Sequence, residues 1–378
     1  MRPYGGRVRG AGDNLSVGER IAFYRRRRGL TQSVLAGLVG RSEDWLSKIE
    51  RGEREIRRLD VLGEVSRALR VTLGDLLGQP VLLEDEVAND DVPAVRDALM
   101  SPTRLSRTLF ADRVVTTQLN VGQVANRVEA GWADYQSGRL GRVIAALPDL
   151  IRSAQLLEDV QSSQGQQAVW AASARCHHLA ATTMSKIGEA DLAWIAAERA
   201  MHAADRSGDP LVLASAARAG THALLSVGRY EDAMRLGTAA TAWLEPRLKR
   251  EDPDALSLIG MLHLRMAVAA ARNQDRAVAN QHLQQADEAA RQLGRDDNRW
   301  QTGFGPTNVA LHRVSAALDL GDVEFVVSRG AQIVTDNMPV ERDATHRIDV
   351  ARAMSYLAKD EEAVDALLAA EAVAPQLV

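Results

Sequence analysis

Six phrases recur from Leu105 onward: YQSGRLGRV, SKIGEADLAW, LSVGRYEDAM, ARNQDRAVAN, LDLGDVEFVV and YLAKDEEAVDALLAAE. Each closes one helical pattern, turns and opens another. The turns are expected at Gly138, Gly188, Gly228, Gly321 and Asp360, with a sixth near Asn273–Asp275, about 40–50 residues apart. Ala193, Ala233, Ala277 and Ala363 follow the turns, where neighbouring helices must approach closely. A lone helix pair cannot bury its apolar face, so pairs in series must stack on one another. The fold class this predicts is all-α. Composition agrees: aromatic residues are 4% of the chain, fewer than sheets usually use, while 46% apolar residues suffice for a large core.

The repeat resembles a tetratricopeptide-like α-solenoid with long helices, expected over residues 104–378 and closing on EEAVDALLAAEAVAP. Such stacks form a concave groove. The segment RWQTGFGPTNVALH, from Arg299, interrupts the helices with two glycines, a proline and an aromatic ring. It reads either as an irregular loop capped by Thr307 or as ligand-binding structure. On the second reading Phe304, Thr307, Asn308 and His312 face the groove. Arg342, His346 and Asp349 recur at i, i+4 and i+7 and share a helix stripe, as groove lining or as a solvated face. Arg175 and His178 are i, i+3 neighbours. Asn126, Asn273 and Asn280 offer further amides to a peptide backbone. The adjacent His177 and His178 point about 100° apart on a helix and do not suit one metal ion. No metal or cofactor is expected. Without a phosphate loop or a nucleophile–base phrase, an enzyme is not expected either.

Charge divides the chain. Residues 1–80 hold sixteen Arg and Lys against ten Asp and Glu, or +6, and the total of −4 leaves −10 for the remainder. A basic end suits an anionic partner. Within it, RRRRGLTQSVLAGLVGRSEDWLSKIERGERE contains short helical phrases split by glycines. Helices are expected at Val17–Arg28, Gln32–Val39 (capped by Thr31) and Glu43–Arg51 (capped by Ser42). A fourth carries Leu59, Leu62, Val65 and Leu69, and a short fifth carries Val71, Leu73, Leu76 and Leu77. On the third helix Trp45, Leu46 and Ile49 share one face, and Glu43, Asp44, Ser47, Lys48 and Arg51 share the other.

These phrases resemble the lambda-repressor-like (XRE) helix-turn-helix family over residues 15–79. The resemblance implies that the third helix enters the major groove of a double-stranded DNA operator. Glu43, Asp44, Ser47 and Lys48 would then reach base edges. Gln32, Arg41, Ser42, Arg51 and Arg54 would contact phosphates, and Arg25 would pair structurally with Glu50. Glu43 and Asp44 can accept from cytosine N4, or simply offset the helix dipole. Arg2, Arg7 and Arg9 lie in a basic tail (1–14), read as a disordered segment or a minor-groove arm. Residues 80–103 read as an acidic linker with a short helix after Pro93, a spacer or a segment that docks on the basic domain.

The two-part layout, with GFGPTNVALH and the closing helix, resembles XRE-type regulators of high-G+C filamentous bacteria. More distantly it is similar to peptide-responsive quorum-sensing regulators. The implied protein is a homodimeric regulator with a peptide or small-molecule effector. An adaptor whose main partner is another protein remains the alternative. The single Cys176 and the lack of an uninterrupted 18-residue apolar run point to the cytoplasm and away from a membrane.

Overall fold

The structure, a computed structural model, describes residues 16–27, 30–54, 56, 59–69, 71, 76, 91–105, 109, 119–159, 165–247, 249 and 251–378. The basic tail with Arg2, Arg7 and Arg9, the residues Arg28, Arg57, Arg58, Leu73 and Leu77, and the acid cluster at 84–90 lie outside them. The chain divides into two compact units, Met1–Leu82 and Leu83–Val378.

The first unit contains α1 (Val17–Arg27), α2 (Gln32–Leu38), α3 (Glu43–Glu50) and α4 (Leu59–Leu69). Thr31 Oγ1 accepts from Val34 N at 3.2 Å and Ser42 Oγ from Trp45 N at 3.2 Å. Both caps satisfy amides that a helix start leaves open. Ile21, Leu35, Leu46, Ile49, Leu62, Val65, Leu69 and Leu76 form one core. Most of the expected fifth helix lies outside the described residues.

Among its described residues the second unit is built of helices and their connections. Its helices are α5 (Asp91–Leu99), α6 (Val121–Gln136), α7 (Leu140–Asp159), α8 (Gln166–Lys186), α9 (Ala190–Ser207), α10 (Pro210–Ser226), α11 (Tyr230–Leu244), α12 (Pro253–Arg272), α13 (Arg276–Leu293), α14 (Pro306–Asp319), α15 (Val323–Gly330), α16 (Val340–Tyr356) and α17 (Asp360–Val373). Consecutive helices pair and stack as a tetratricopeptide-like superhelix. The helix expected in the linker is α5, and it packs on α7: Val95, Ala98 and Leu99 are buried, and Gln155 Nε2 donates to Ala98 O at 3.0 Å. Helix α12 is apolar enough to cross a bilayer by length and composition, yet it is mostly buried as the body's central helix.

One turn geometry recurs six times among the described residues of this unit. Gly138, Gly188, Gly228, Gln274, Gly321 and Ala358 all have φ between 54° and 84°. The residue after each donates its N–H to the carbonyl five positions back, at 2.9–3.0 Å. This closes the helix end with a left-handed residue. The last turn is therefore centred on Ala358, ahead of the expected Asp360, and Gln274 and Ala358 do the work of glycine.

The fifth residue after each left-handed one is buried: Val143, Ala193, Ala233, Ala279, Val326 and Ala363. The sequence register missed this once. Ala277 is exposed, and Ala279 takes the close-packed place.

The superhelix closes on itself. Gly141 N donates to Gln376 Oε1 at 2.9 Å, and Lys186 Nζ reaches Glu341 Oε1 at 2.5 Å and Thr345 Oγ1 at 2.8 Å. Asn298 and Gln136 exchange amide hydrogen bonds, both 2.9 Å. The last helices thus meet the first, and the expected open groove becomes a partly open cavity.

Candidate functional site

Among the described residues, the outer face of α3 and a cavity of the body are two places that can meet a partner. On α3, Leu46 and Ile49 are buried in the core, while Glu43 and Asp44 are exposed and Ser47 and Lys48 half-exposed. The helix is held from behind. Arg25 Nε and Nη2 donate to Glu50 Oε1 and Oε2 at 2.5 and 2.8 Å, and Arg25 Nη1 donates to Leu30 O at 2.8 Å. Burial alone would raise the Glu50 carboxyl. The bonds from Arg25 and Gln32 outweigh it and hold the group below its ordinary value. The pair ties α1 to α3.

Gln32, expected at a phosphate, donates Nε2 to Glu50 Oε2 at 2.7 Å. A primary amide has two N–H groups, so one remains for phosphate. Lys48 Nζ sits 2.7 Å from Asp44 Oδ2, one turn away, and Arg51 pairs with Glu53 at 3.0 Å. These exposed pairs are weak and can open to a ligand. Arg41 lies over the Trp45 ring at 5.8 Å, while Ser42 caps α3 and Arg54 is exposed just beyond it.

The cavity has a volume of about 250 Å3 and is lined by residues from α6, α8, α10, α12, α14 and α16 and from the loop before α14. His178, Asn308, His312, Arg342 and His346, predicted from separate phrases, converge on it, and so does Asp349. Other predictions are corrected. Phe304 is fully buried in the core, its ring where a Cβ on Gly260 would lie 2.0 Å from Cζ, so α12 needs glycine there. Thr307 N and Oγ1 bond to the Asp296 carboxylate at 3.0 and 2.7 Å, so that Asp296 caps the start of α14 from across the loop. Asn273 ends α12 in solvent, and Asn126 and Asn280 are exposed. Arg175 sits at the rim, bonded to Glu129 and Gln301 and stacked 5.1 Å from the Trp300 centroid. Trp300 and Gln301 have φ of 53° and 50°, strained for non-glycine residues.

Sequence reasoning missed the cavity's charge. Its lining holds five cations (Lys186, Arg218, Arg265, Arg272, Arg342) against two carboxylates, Glu341 and Asp349. Lys186 is matched by Glu341, and Arg272 by Asp319 at 3.1 Å. Among the described residues no carboxylate lies within 4.0 Å of Arg218, Arg265 or Arg342. Burial and the neighbouring Arg265 and Arg175 lower Arg218 to about 9, and burial and Arg342 lower Arg265 to about 10. Both remain charged at neutral pH. Burial, with arginines as neighbours, holds His178, His222 and His312 well below their ordinary value, so all three are neutral. The sequence signal was there: Arg218 and Arg265 are lone charges inside the apolar runs LVLASAARAG and MLHLRMAVAAA.

His177 and His178 diverge, His177 Nδ1 toward Ser173 and His178 Nδ1 toward Ser215 at 2.9 Å. Among the described residues no cluster of three or more His, Cys, Asp or Glu could hold a metal ion.

Residues 16–77 match the helix-turn-helix domain family, so the first unit contains a helix-turn-helix domain. No curated protein matches the chain. Similar solved structures include the following two. PlcR of Bacillus thuringiensis, crystallised with the peptide PapR7 and DNA, is 15% identical, with 74% of this chain and 96% of that one covered at a TM-score of 0.32. Aspartyl phosphate phosphatase F of Bacillus subtilis is 14% identical, with 99% and 98% covered at a TM-score of 0.45. Neither likeness transfers a ligand or a partner to this chain.

Proposed function

We infer that the chain is a sequence-specific transcriptional regulator of the XRE type, acting in the bacterial cytoplasm, with α3 in the major groove of its operator. The observation that carries this reading is the division of α3. Its apolar side is buried and anchored by Arg25–Glu50, and Glu43, Asp44, Ser47 and Lys48 remain open. Arg41, Ser42, Arg51, Arg54 and the spare N–H of Gln32 then serve phosphates. One short helix reads few base pairs, so the regulator acts as a homodimer on half-sites about 34 Å or a multiple apart. The body joins the two copies and senses an effector. No catalytic step belongs to this reading.

The test is selection from random duplexes by the full chain. An enriched two-half-site sequence is expected, with affinity falling about 10³-fold between 50 and 200 mM salt if six or more phosphates are contacted. Recovery of no preferred sequence at low salt contradicts it. A second reading, an adaptor whose main partner is a protein, draws on the exposed Tyr356, Val364 and Leu368 near the end of the superhelix. It would give DNA affinity independent of any effector.

A further inference from the structure

We propose that the body's cavity is a receptor for a small organic anion bearing two or more negative charges, a phosphomonoester or a polycarboxylate, held by Arg218, Arg265 and Arg342. It deepens the regulator reading by naming the class of effector, and its chemistry stands without that reading.

A buried charge without a partner is among the most costly features a fold can carry. This body gathers three guanidiniums around one small space, Arg218 buried and Arg265 and Arg342 partly so, and among the described residues none of them has a carboxylate within 4.0 Å. Arg218 is only 5% exposed, and its Nη1 has no hydrogen-bond partner among the described residues. Arg265 Nε is equally unpartnered. Arg218 Nη2 lies 3.4 Å from the neutral His178 Nε2, and Arg342 Nη1 3.4 Å from the neutral His312 Nε2. Neither imidazole offsets the charge.

Two further groups lack partners in the same lining. Trp132 Nε1 is a buried donor and Asn308 Oδ1 a buried acceptor, each in a residue 1% exposed. Together the walls offer two kinds of donor, guanidinium and indole N–H, to an anion and one acceptor to a hydroxyl or amine of the same ligand. Guanidiniums suit this role because their planar donor fork matches carboxylate and phosphate oxygens.

Size selects the ligand further. At about 250 Å3 the cavity lies below the roughly 300–1,000 Å3 of sites for drug-sized molecules. That volume suits a small metabolite. The anion would join α6, α10, α12, α14 and α16, drawn from the first, middle and last repeats. Binding would therefore tighten the closed ring, the element whose arrangement can set the spacing of two heads.

The experiment uses the full chain, with calorimetry and thermal melts in inorganic phosphate, glycerol phosphate and citrate, against chloride at equal ionic strength. Saturable binding with a rise in Tm is expected for glycerol phosphate or citrate, and which of them binds identifies the anion type. Arg265→Gln should weaken it about tenfold to a hundredfold. Arg218→Met should abolish binding and raise the Tm of the ligand-free protein, because an unmatched buried charge is gone. A merely structural arginine would give the opposite, a lowered Tm. The proposal is overturned by no saturable binding of any probe, by full binding in Arg218→Met, or by a lower ligand-free Tm in that variant. Operator selection run in parallel separates the two ideas. A chain that selects DNA but binds no anion loses only the receptor, and one that binds anion but selects no DNA loses only the regulator.

Discussion

Two buried arginines divide the molecule's work between them. In the head, Arg25 meets Glu50 through two hydrogen bonds and donates from its third nitrogen to a backbone carbonyl. In the body, Arg218 is as deeply buried and has no carboxylate within 4.0 Å among the described residues. The first arginine is satisfied by its own chain and fixes a helix. The second, on the receptor proposal, is where an anion from outside would bind. The contrast shows why burial of a charge alone does not mark function. Its partner, or the lack of one, does.

The largest expected effect breaks the satisfied side. Glu50→Ala leaves Arg25 buried and unpaired, at a cost of about 3–5 kcal/mol. Chemical denaturation should show the head unfolding ahead of the body. The same pair gives a pH signature. Glu50's carboxyl is held below its ordinary value in the folded state. Its contribution is therefore complete above the ordinary carboxylate range and is lost as pH falls through the depressed value. Acid unfolding of the head, followed by circular dichroism, should lose that dependence in Glu50→Gln.

The opposite sign is expected on the other side. Arg218→Met should stabilise the ligand-free body by about 1–3 kcal/mol, read as a higher denaturation midpoint. If both arginine sites respond alike, the contrast is wrong.

A third effect sharpens the head alone. Lys48→Ala should relax preference at one base position, about 1–3 kcal/mol of discrimination, while Gln32→Ala weakens every sequence equally. Competition binding on a panel of operator variants separates them. The smallest effect concerns the body's turns. Ala358 holds a left-handed backbone at φ 54° where other repeats use glycine. Ala358→Gly should raise stability by up to about 1 kcal/mol in thermal melts.

Local signals were legible in the sequence, and closure was not. The caps at Thr31 and Ser42, the two faces of α3 and the turn glycines follow from residues a few positions apart. The stripe of Arg342, His346 and Asp349 was also visible, because one helix sets it. Phe304 was misplaced because only the bare Gly260, 44 residues earlier, makes room for its ring. The cavity itself depends on α16 meeting α8 through Glu341 and Lys186, 155 residues apart, and nothing local announces that contact. Arg218 stands out in the sequence only as a lone charge within LVLASAARAG. Its apolar neighbours were the warning.

The central claim, that the open face of α3 reads DNA, is tested most directly by selecting random duplexes with the full chain and with Lys48→Ala side by side. The account expects one enriched operator with paired half-sites, and a variant whose preference is lost at a single position in each. Identical enrichment by both proteins, or none by either at low salt, contradicts it.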